Sequence, residues 1–435
     1  MNARTTALSA LIACRKQGAW ADGILKEYIA RDRLDKRDAA LASRLCYGVL
    51  QNRMLLDYYI GSCLKGSIKK LQPIVLDILR LGMYQIMLME KIPVSAAVNE
   101  AVGQTKKYAN ARAAGLVNGV LRCASREIES FPEPKSLAVR YSHPEPLVEL
   151  LKDNVGEDMI EALLDSHNQA PKTVVQINPL SCQASSVVPS LEEAGISLQP
   201  HPWLSGAHYA SGTGNLENLS LFKEGAFLVQ DPAARLAVIA AGCQPGMNVL
   251  DGCAAPGGKS FAAAMMMNNQ GHIVSCDIHA HKLELIKKGS QRLGIEIIEP
   301  KLQDGRENLS EYNEKMDVVI ADVPCSGLGV IRKKPDIRYN DLVAMEKLPD
   351  IQFDILCNLS RYVKPGGVLL YSTCTILKRE NENVTERFLQ AHKSFVLEQF
   401  DLPDELGGQC NGMITLLPCV HNTDGFFICK MRRKQ

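Results

Sequence analysis

The chain has 435 residues, longer than one compact core usually runs, so two or three domains are expected. At 46% hydrophobic and 22% charged it does not read as a disordered chain, and no run of about 18 apolar residues offers a membrane span. The net charge of +1 hides an asymmetry: Met1 to Arg140 carries 22 Lys+Arg against 12 Asp+Glu, net +10, and the remainder 27 against 36, net −9. The basic part is therefore the one that would meet an anionic partner, the alternative being a helical domain with solvated Lys/Arg faces.

Fourteen cysteines include no Cys-x-x-Cys pair, and no His-x-x-x-His accompanies them, so neither a metal site nor a disulfide framework is expected. Scattered cysteines suit a reducing, cytoplasmic location, where most act as small buried hydrophobes. Leu11-Ile12-Ala13-Cys14 resembles the end of a lipoprotein signal, but the apolar stretch before it is short and broken by Thr5, Thr6 and Ser9. It reads as an ordinary first helix.

Residues 1–130 are expected to form an all-α bundle. Apolar positions recur at spacings of three and four through Leu45-Cys46-Val49-Leu50 and Ile74-Leu76-Ile78-Leu79-Leu81, with Pro73 where a helix start tolerates it. Phe131-Pro132-Glu133-Pro134 reads as a linker. Residues 140–221 then mix one helix, Pro146 to His167, with β-rich pieces such as Thr173 to Ile177, giving a small α+β connecting domain. Residues 222–435 alternate helices with short apolar runs: Met247 to Leu250, His272 to Ser275, Asp317 to Ile320 and Gly367 to Tyr371. Such runs are buried parallel strands, and the fold expected is a doubly wound, Rossmann-like α/β sheet.

The first of these strands leads into Asp251-Gly252-Cys253-Ala254-Ala255-Pro256-Gly257-Gly258-Lys259, followed by a helix from Ser260. A glycine-rich loop there admits a ligand close to the backbone and to the amide-rich helix start. Asp277, 19 residues after Gly258, ends the next strand and is placed for ribose hydroxyls, and Asp304 lies near the end of the one after. Together they suit a nucleoside-bearing cofactor. The absence of G-x-G-x-x-G argues against a dinucleotide and for something smaller.

Asp322-Val323-Pro324-Cys325-Ser326 and Ser372-Thr373-Cys374-Thr375 follow consecutive strands, which puts both cysteines on the same sheet edge as the glycine loop. Two thiols beside an acid have a chemical use. C5 of a pyrimidine is a poor nucleophile until a thiolate adds to C6, and a neighbouring acid can stabilise the charge that develops on the ring. A second group must then help remove the C5 proton, and an electropositive neighbour such as a sulfonium methyl donor would favour the thiolate.

These segments closely resemble the cofactor, Pro-Cys and Thr-Cys motifs of the RNA 5-methylcytosine methyltransferases (the Nol/Nop/Sun family). So do Gly329 to Arg338, Thr423 to Phe427 and Val229-Gln230-Asp231, and the resemblance spans Phe222 to Lys434. It implies that Cys374 is the nucleophile on C6, that Cys325 assists breakdown of the adduct, and that Asp322 contacts both base and cofactor region. It implies S-adenosylmethionine held by Cys253, Ala254, Ala255, Pro256, Gly257, Gly258, Lys259, Asp277, Asp304 and Asp322. DNA cytosine-5 enzymes instead use the cysteine of their Pro-Cys motif, which would be Cys325. The Thr-Cys motif is peculiar to the RNA family, which favours Cys374.

The front end resembles NusB, a helical RNA-binding protein, at Asp38 to Ala42, Tyr47 to Leu50, Leu79 to Gln85, Ala97 to Val102 and Val117 to Arg122. A NusB-like module fused to this catalytic type is similar to the bacterial Sun/RsmB-type enzymes, which implies a cytosine of small-subunit (16S) ribosomal RNA as substrate. A transfer-RNA enzyme and an RNA adaptor with a degenerate catalytic domain are the alternatives. The net +10 fits binding to an RNA backbone, and Arg332, Lys333, Lys334 and Arg338 are placed in sequence to meet phosphates beside the target. Ser95 and Gln176 depart from the family pattern, where His and Arg are common. A monomer without membrane or metal partners is expected.

Overall fold

A computed structural model describes residues 2–17, 21–127, 130–181 and 184–435. The chain divides into two compact units: Met1–Gln169 with Ile331–Asn340, and Ala170–Val330 with Asp341–Gln435.

The first unit is helical, as its 3.6-residue periodicity predicts. Helices run over Ala3–Gln17, Ala21–Arg31, Lys36–Gln51, Arg53–Ser62, Pro73–Leu88, Val94–Tyr108, Ala111–Glu127, Leu137–Arg140, Glu145–Val155 and Glu157–Ser166. Leu11 and Cys14 lie within the first of them, and Pro73 begins the fifth, where its missing N–H leaves no bond unmade. Leu45, Ile60, Ile78, Leu79, Val117 and Leu121 are wholly or almost wholly buried in one core. The single helix expected over Pro146 to His167 is two, because Gly156 at φ 88° ends one and caps the next.

The same unit holds Ile331–Asn340, whose Pro335–Tyr339 forms a 3-10 turn. Arg338 at its centre is 1% exposed, and its guanidinium donates to the carbonyls of Gln51 (2.8 Å), Tyr141 (3.2 Å), Ser142 (3.3 Å) and His167 (2.9 Å). Gln51 ends one helix, and Tyr141 and His167 cap two others. Three carboxyl-terminal helix ends, each carrying partial negative charge, thus converge on one cation. This corrects the expectation that Arg338 meets phosphates: both its Nη groups are spent on helix ends, and the side chain is buried. Of the other three basic residues, Lys334 is exposed.

The second unit contains two main sheets. Strands β1 (Thr173–Ile177), β2 (Ser197–Pro200), β3 (Ala207–Ser211) and β4 (Phe227–Val229) make an antiparallel sheet in the order β2-β3-β1-β4. The larger sheet contains β5 (Asn248–Asp251), β6 (His272–Asp277), β7 (Ile298–Leu302), β8 (Met316–Asp322) and β9 (Val363–Thr373), mutually parallel. Strands β10 (Phe395–Leu397), β13 (Met413–Leu416) and β14 (Phe426–Arg433) extend it antiparallel, while β11 (Phe400–Asp401) and β12 (Gln409–Cys410) pair separately. The order along the larger sheet is β10-β14-β9-β8-β5-β6-β7, with β13 on β14.

Helices cover both faces of this sheet. Val249, Ile273, Val318 and Ile320 pack on one side with the helices Pro232–Ala241, Gly258–Met266 and Ala280–Leu293. Leu250, Val274, Val319 and Ala321 pack on the other with Leu348–Ser360 and Glu382–Ala391. Burial on both faces is why these strands read as unbroken apolar runs. The doubly wound Rossmann-like expectation holds, with a mixed edge. Among the described residues no helix is long and apolar enough to cross a membrane.

Arg338 sits beside two buried histidines. His143 Nε2 lies 3.1 Å from His167 Nδ1, and burial first, then the Arg338 charge, pushes both well below the usual imidazole range. A neutral pair of this kind adds stability above the unfolded imidazole pKa of about 6.5, and the contribution is lost as pH falls below it. Urea melts of the helical unit should accordingly be flat from about pH 7 to 8 and fall below about pH 6.5, with a smaller fall in H167Q. Arg338→Met, which removes the buried donors that these helix ends share, should cost about 3 kcal/mol or more in the same melts.

Candidate active site

Because β5 to β9 are parallel, their carboxyl ends share one edge, and neighbouring strands lie about 4.8 Å apart. From β9 to β7 that edge presents Cys374, then Asp322 with Cys325, then the Asp251 loop, then Asp277, then Asp304. The chain steps from β5 outward to β6 and β7, then returns to β8 on the other side of β5. The crevice at such a reversal is where open α/β sheets take their ligands.

The loop after β5 is stitched onto the strand ends: Gly252 N–H donates to Ile320 O and Ala254 N–H to Cys276 O, at 2.9 and 2.8 Å. The Ala255–Pro256 bond is cis. Gly257 caps the helix Gly258–Met266 at φ 111°, and a Cβ there would lie 2.4 Å from the Phe261 ring. That leaves the first-turn amides of the helix facing the crevice side of the loop, the arrangement that receives negative or polar ligand groups.

Asp251 is fully buried. One oxygen accepts from Ser260 Oγ (2.7 Å), which in turn accepts from Ser275 Oγ (2.8 Å); the other oxygen has no partner. Burial pushes its carboxyl up to about 7, with the Asp322 charge adding to the rise. Asp277 accepts one bond, from His279 N–H. Asp304 is more committed: Arg306 donates to both its oxygens and holds its carboxyl below the ordinary range.

Lys259, grouped with the glycine loop on sequence grounds, sends its ammonium to Asp322 Oδ2 (2.5 Å) and over the Phe426 ring (4.9 Å). Ser372 Oγ donates to the other Asp322 oxygen at 2.8 Å. Across from this cluster, Cys325 Sγ and Cys374 Sγ are 3.2 Å apart, and both residues are partly exposed. The hydrogen bond to Cys374, then burial and nearby negative charge, hold the Cys325 thiol well above its usual range. Two thiols this close share a proton: when one ionises, the other donates to it.

The two cysteine segments are joined along their backbones. Val323 N–H donates to Ser372 O, Gly329 N–H to Cys374 O, and Ser326 Oγ to Thr375 Oγ1. Gly425 N–H reaches Gly329 O at 2.8 Å, and Asp424 N–H reaches the Asp231 carboxylate, which itself caps Pro232–Ala241. Segments far apart in sequence are thereby fixed around the thiols. The edge also contains residues that motif reasoning did not single out: Glu380, Gln352 and Arg306. Glu380 and Arg306 lie near motif residues in sequence, and Gln352 carries no such signal. Among the described residues no group of three or more His, Cys, Asp or Glu is arranged to hold a metal ion.

The cap geometry separates two adjacent glycines. Gly257→Ala should destabilise this unit by about 2 kcal/mol, through the strained φ and the Phe261 clash. Gly258→Ala, whose Cβ would meet nothing closer than Gln230 Nε2 at 3.4 Å, should change stability by less than about 1 kcal/mol. Thermal melts of the two variants check the contrast, and equal losses would refute the assigned cap.

Comparison with known proteins supplies a context for this geometry. Residues 238–432 match the family described as 16S rRNA methyltransferase RsmB/F, residues 1–126 the NusB family, and residues 143–208 a ferredoxin-like domain of RsmF/B-like methyltransferases. The chain is 36% identical to the probable ribosomal RNA small subunit methyltransferase B of Bacillus subtilis, over 99% of this chain and 98% of that one. It is 33% identical to the corresponding probable enzyme of Synechocystis over the full length of both. The crystal structure of PH0851 superposes with a TM-score of 0.80 at 26% identity, covering 98% of each chain. NSun6 from Pyrococcus horikoshii, solved with SFG, has a TM-score of 0.59 over 67% of this chain and 98% of its own, a likeness of fold at 19% identity.

Proposed function

Since the chain belongs to the RsmB/F family of 16S rRNA methyltransferases, we propose that it methylates C5 of a cytosine in that RNA through a covalent adduct to Cys374. The observation that carries this reading is the 3.2 Å contact between the two thiols, beside the Lys259–Asp322 pair on the edge that holds the glycine loop.

The cofactor would be S-adenosylmethionine, which supplies an electrophilic methyl group. The residues present fit it. Asp277 retains acceptor capacity for ribose hydroxyls, the amides after Gly257 face the crevice, and the unpartnered buried oxygen of Asp251 is an acceptor that a cationic amino group would satisfy. Asp304, clamped by Arg306, has less free capacity, so we assign it a supporting contact.

In the chain's own part of the reaction, the Cys374 thiolate adds to C6 and makes C5 nucleophilic. Asp322, oriented by Lys259 and Ser372, accepts hydrogen bonds from the cytosine edge and steadies the charge on the ring. After methylation at C5, solvent takes the C5 proton as base, the C–H electron pair restores the C5–C6 double bond, and the C6–S bond breaks with its pair leaving on Cys374 as a thiolate. Cys325, held as a thiol against Cys374, is placed to return a proton to that leaving sulfur, which assigns it to release. C5 and C6 are unreachable in a stack, so the target cytosine must be unpaired or flipped. The net +10 of residues 1–140 supplies phosphate neutralisation through the NusB-like helices.

Methyl transfer from labelled S-adenosylmethionine to 16S rRNA, followed by bisulfite mapping, tests the reaction and identifies the nucleotide. Cys374→Ser should lose both turnover and adduct, at least about a thousandfold in rate. Cys325→Ser should accumulate an RNA adduct that survives denaturing gels. Exchanged phenotypes would overturn the assignment of the nucleophile, and no transfer to any RNA cytosine would overturn the reading as a whole.

A further inference from the structure

Glu380 lies in the loop after β9, six residues beyond Cys374, and is wholly buried. One of its oxygens accepts from Ser326 N–H (2.9 Å) and from the Gln352 amide (2.8 Å), and the same amide donates to Pro324 O (2.9 Å). Glu380 and Gln352 therefore grip the peptide on both sides of Cys325. A buried carboxylate is costly unless donors surround it, and here two donors meet one oxygen while the other is unpartnered. A neutral amide at 380 would satisfy both donors equally well, so the clamp alone does not account for a charge at this place.

The charge has a use in the thiol pair. The ionisable groups that bear on Cys325 are Cys374, Glu380 and Tyr371. Tyr371 is a buried phenol that donates to Glu380 O at 2.5 Å and is held neutral by burial. Glu380 is thus the one fixed charge among them, and it is attached to the Cys325 side of the pair. Its carboxylate accepts from the amide that directly follows Cys325, so its repulsion bears on a thiolate there.

We infer that Glu380 is a positioning residue whose buried charge keeps the shared thiol proton on Cys325, leaving Cys374 as the sulfur that ionises. On this reading the carboxylate behind Cys325 supplies an asymmetry between nucleophile and proton donor. This deepens the proposed function, on which it rests for the role of Cys374, and it can be tested without any methyl transfer.

Iodoacetamide labelling of the full chain, read by mass spectrometry from about pH 6 to 9, reports which sulfur is the thiolate. Cys374 should label faster than Cys325 in the unaltered protein. E380Q keeps both hydrogen bonds and removes the charge, so the Cys374-to-Cys325 labelling ratio should fall about tenfold, whereas E380D should keep most of it. Should E380Q fail to fold, E380M makes the same prediction with the charge replaced by an apolar chain. A folded charge-free variant with an unchanged ratio overturns the inference even if rRNA methylation is found. A tenfold fall with no methylation of any cytosine leaves it standing and overturns the function instead.

Discussion

Everything chemical in this molecule hangs on the register between β8 and β9. Asp322 pairs with Ser372, so their side chains fall on the same face and Ser372 Oγ reaches the Asp322 carboxylate. Cys325 follows the paired position by three residues and Cys374 by two, and the two thiols meet 3.2 Å apart. Side chains alternate across a strand with a period of two, so a slip of one residue would turn Asp322 away from Ser372 and Lys259. The register is held from both sides. Val319, Leu369 and Tyr371 are locked in the core of one face, and β14 pairs along β9 from Val368 to Thr373. Backbone bonds from Val323 and Gly329 to the β9 end then carry the alignment past the strands into the loop that bears Cys325.

A second constraint of the same kind organises the helical unit. Burying a guanidinium is expensive unless every donor finds an acceptor, and few places in a protein offer several free carbonyls together. Carboxyl-terminal helix ends do, since their last carbonyls lack intrahelical partners. Arg338 meets three such ends, and Tyr339 OH adds a bond to Leu50 O on the same helix end. The turn Pro335–Tyr339 is therefore structural to the helical unit, although in sequence it directly follows the Pro-Cys motif. A basic run beside a catalytic motif is not evidence of phosphate contact by itself. Arg can act as a multi-pronged donor to carbonyls as readily as to phosphates, and only burial distinguishes the two uses.

Legibility in the sequence followed burial. The strands β5, β6, β8 and β9 were readable because both their faces are covered, which demands apolar residues at every position. Strand β7, Ile298–Leu302, was legible only as a strand ending near Asp304, because it is an edge strand with mixed exposure and contains Pro300. Strand β14 was noticed only as the phrase Thr423 to Phe427, and its basic end at Arg432 and Arg433 hides the continuation of the sheet. The break at Gly156 was legible in principle, since glycine within an apolar helical pattern is a possible cap. In the site, the loop glycines, Asp277, Asp322 and the two cysteines were legible because each ends a readable strand. Glu380 and Gln352 were not, because their role is defined by what they reach across the sheet edge.

Lys259 lies in the glycine loop, where the sequence points to contact with a cofactor, and its ammonium reaches Asp322 and the Phe426 face. Two acids stand at the ends of adjacent strands, Asp251 on β5 and Asp322 on β8, and the Asp322 charge disfavours ionisation of Asp251. Asp251 is pushed up to about 7 by burial and by Asp322, while Lys259 pulls it back down. The lysine thus offsets part of the rise that burial and the Asp322 charge impose on Asp251. Removing its charge would push Asp251 toward the neutral acid near pH 7 and leave Asp322 without its closest counter-ion. One ammonium thus links the two ends of the crevice, favouring the charged form of Asp251 beside the glycine loop and pairing directly with Asp322.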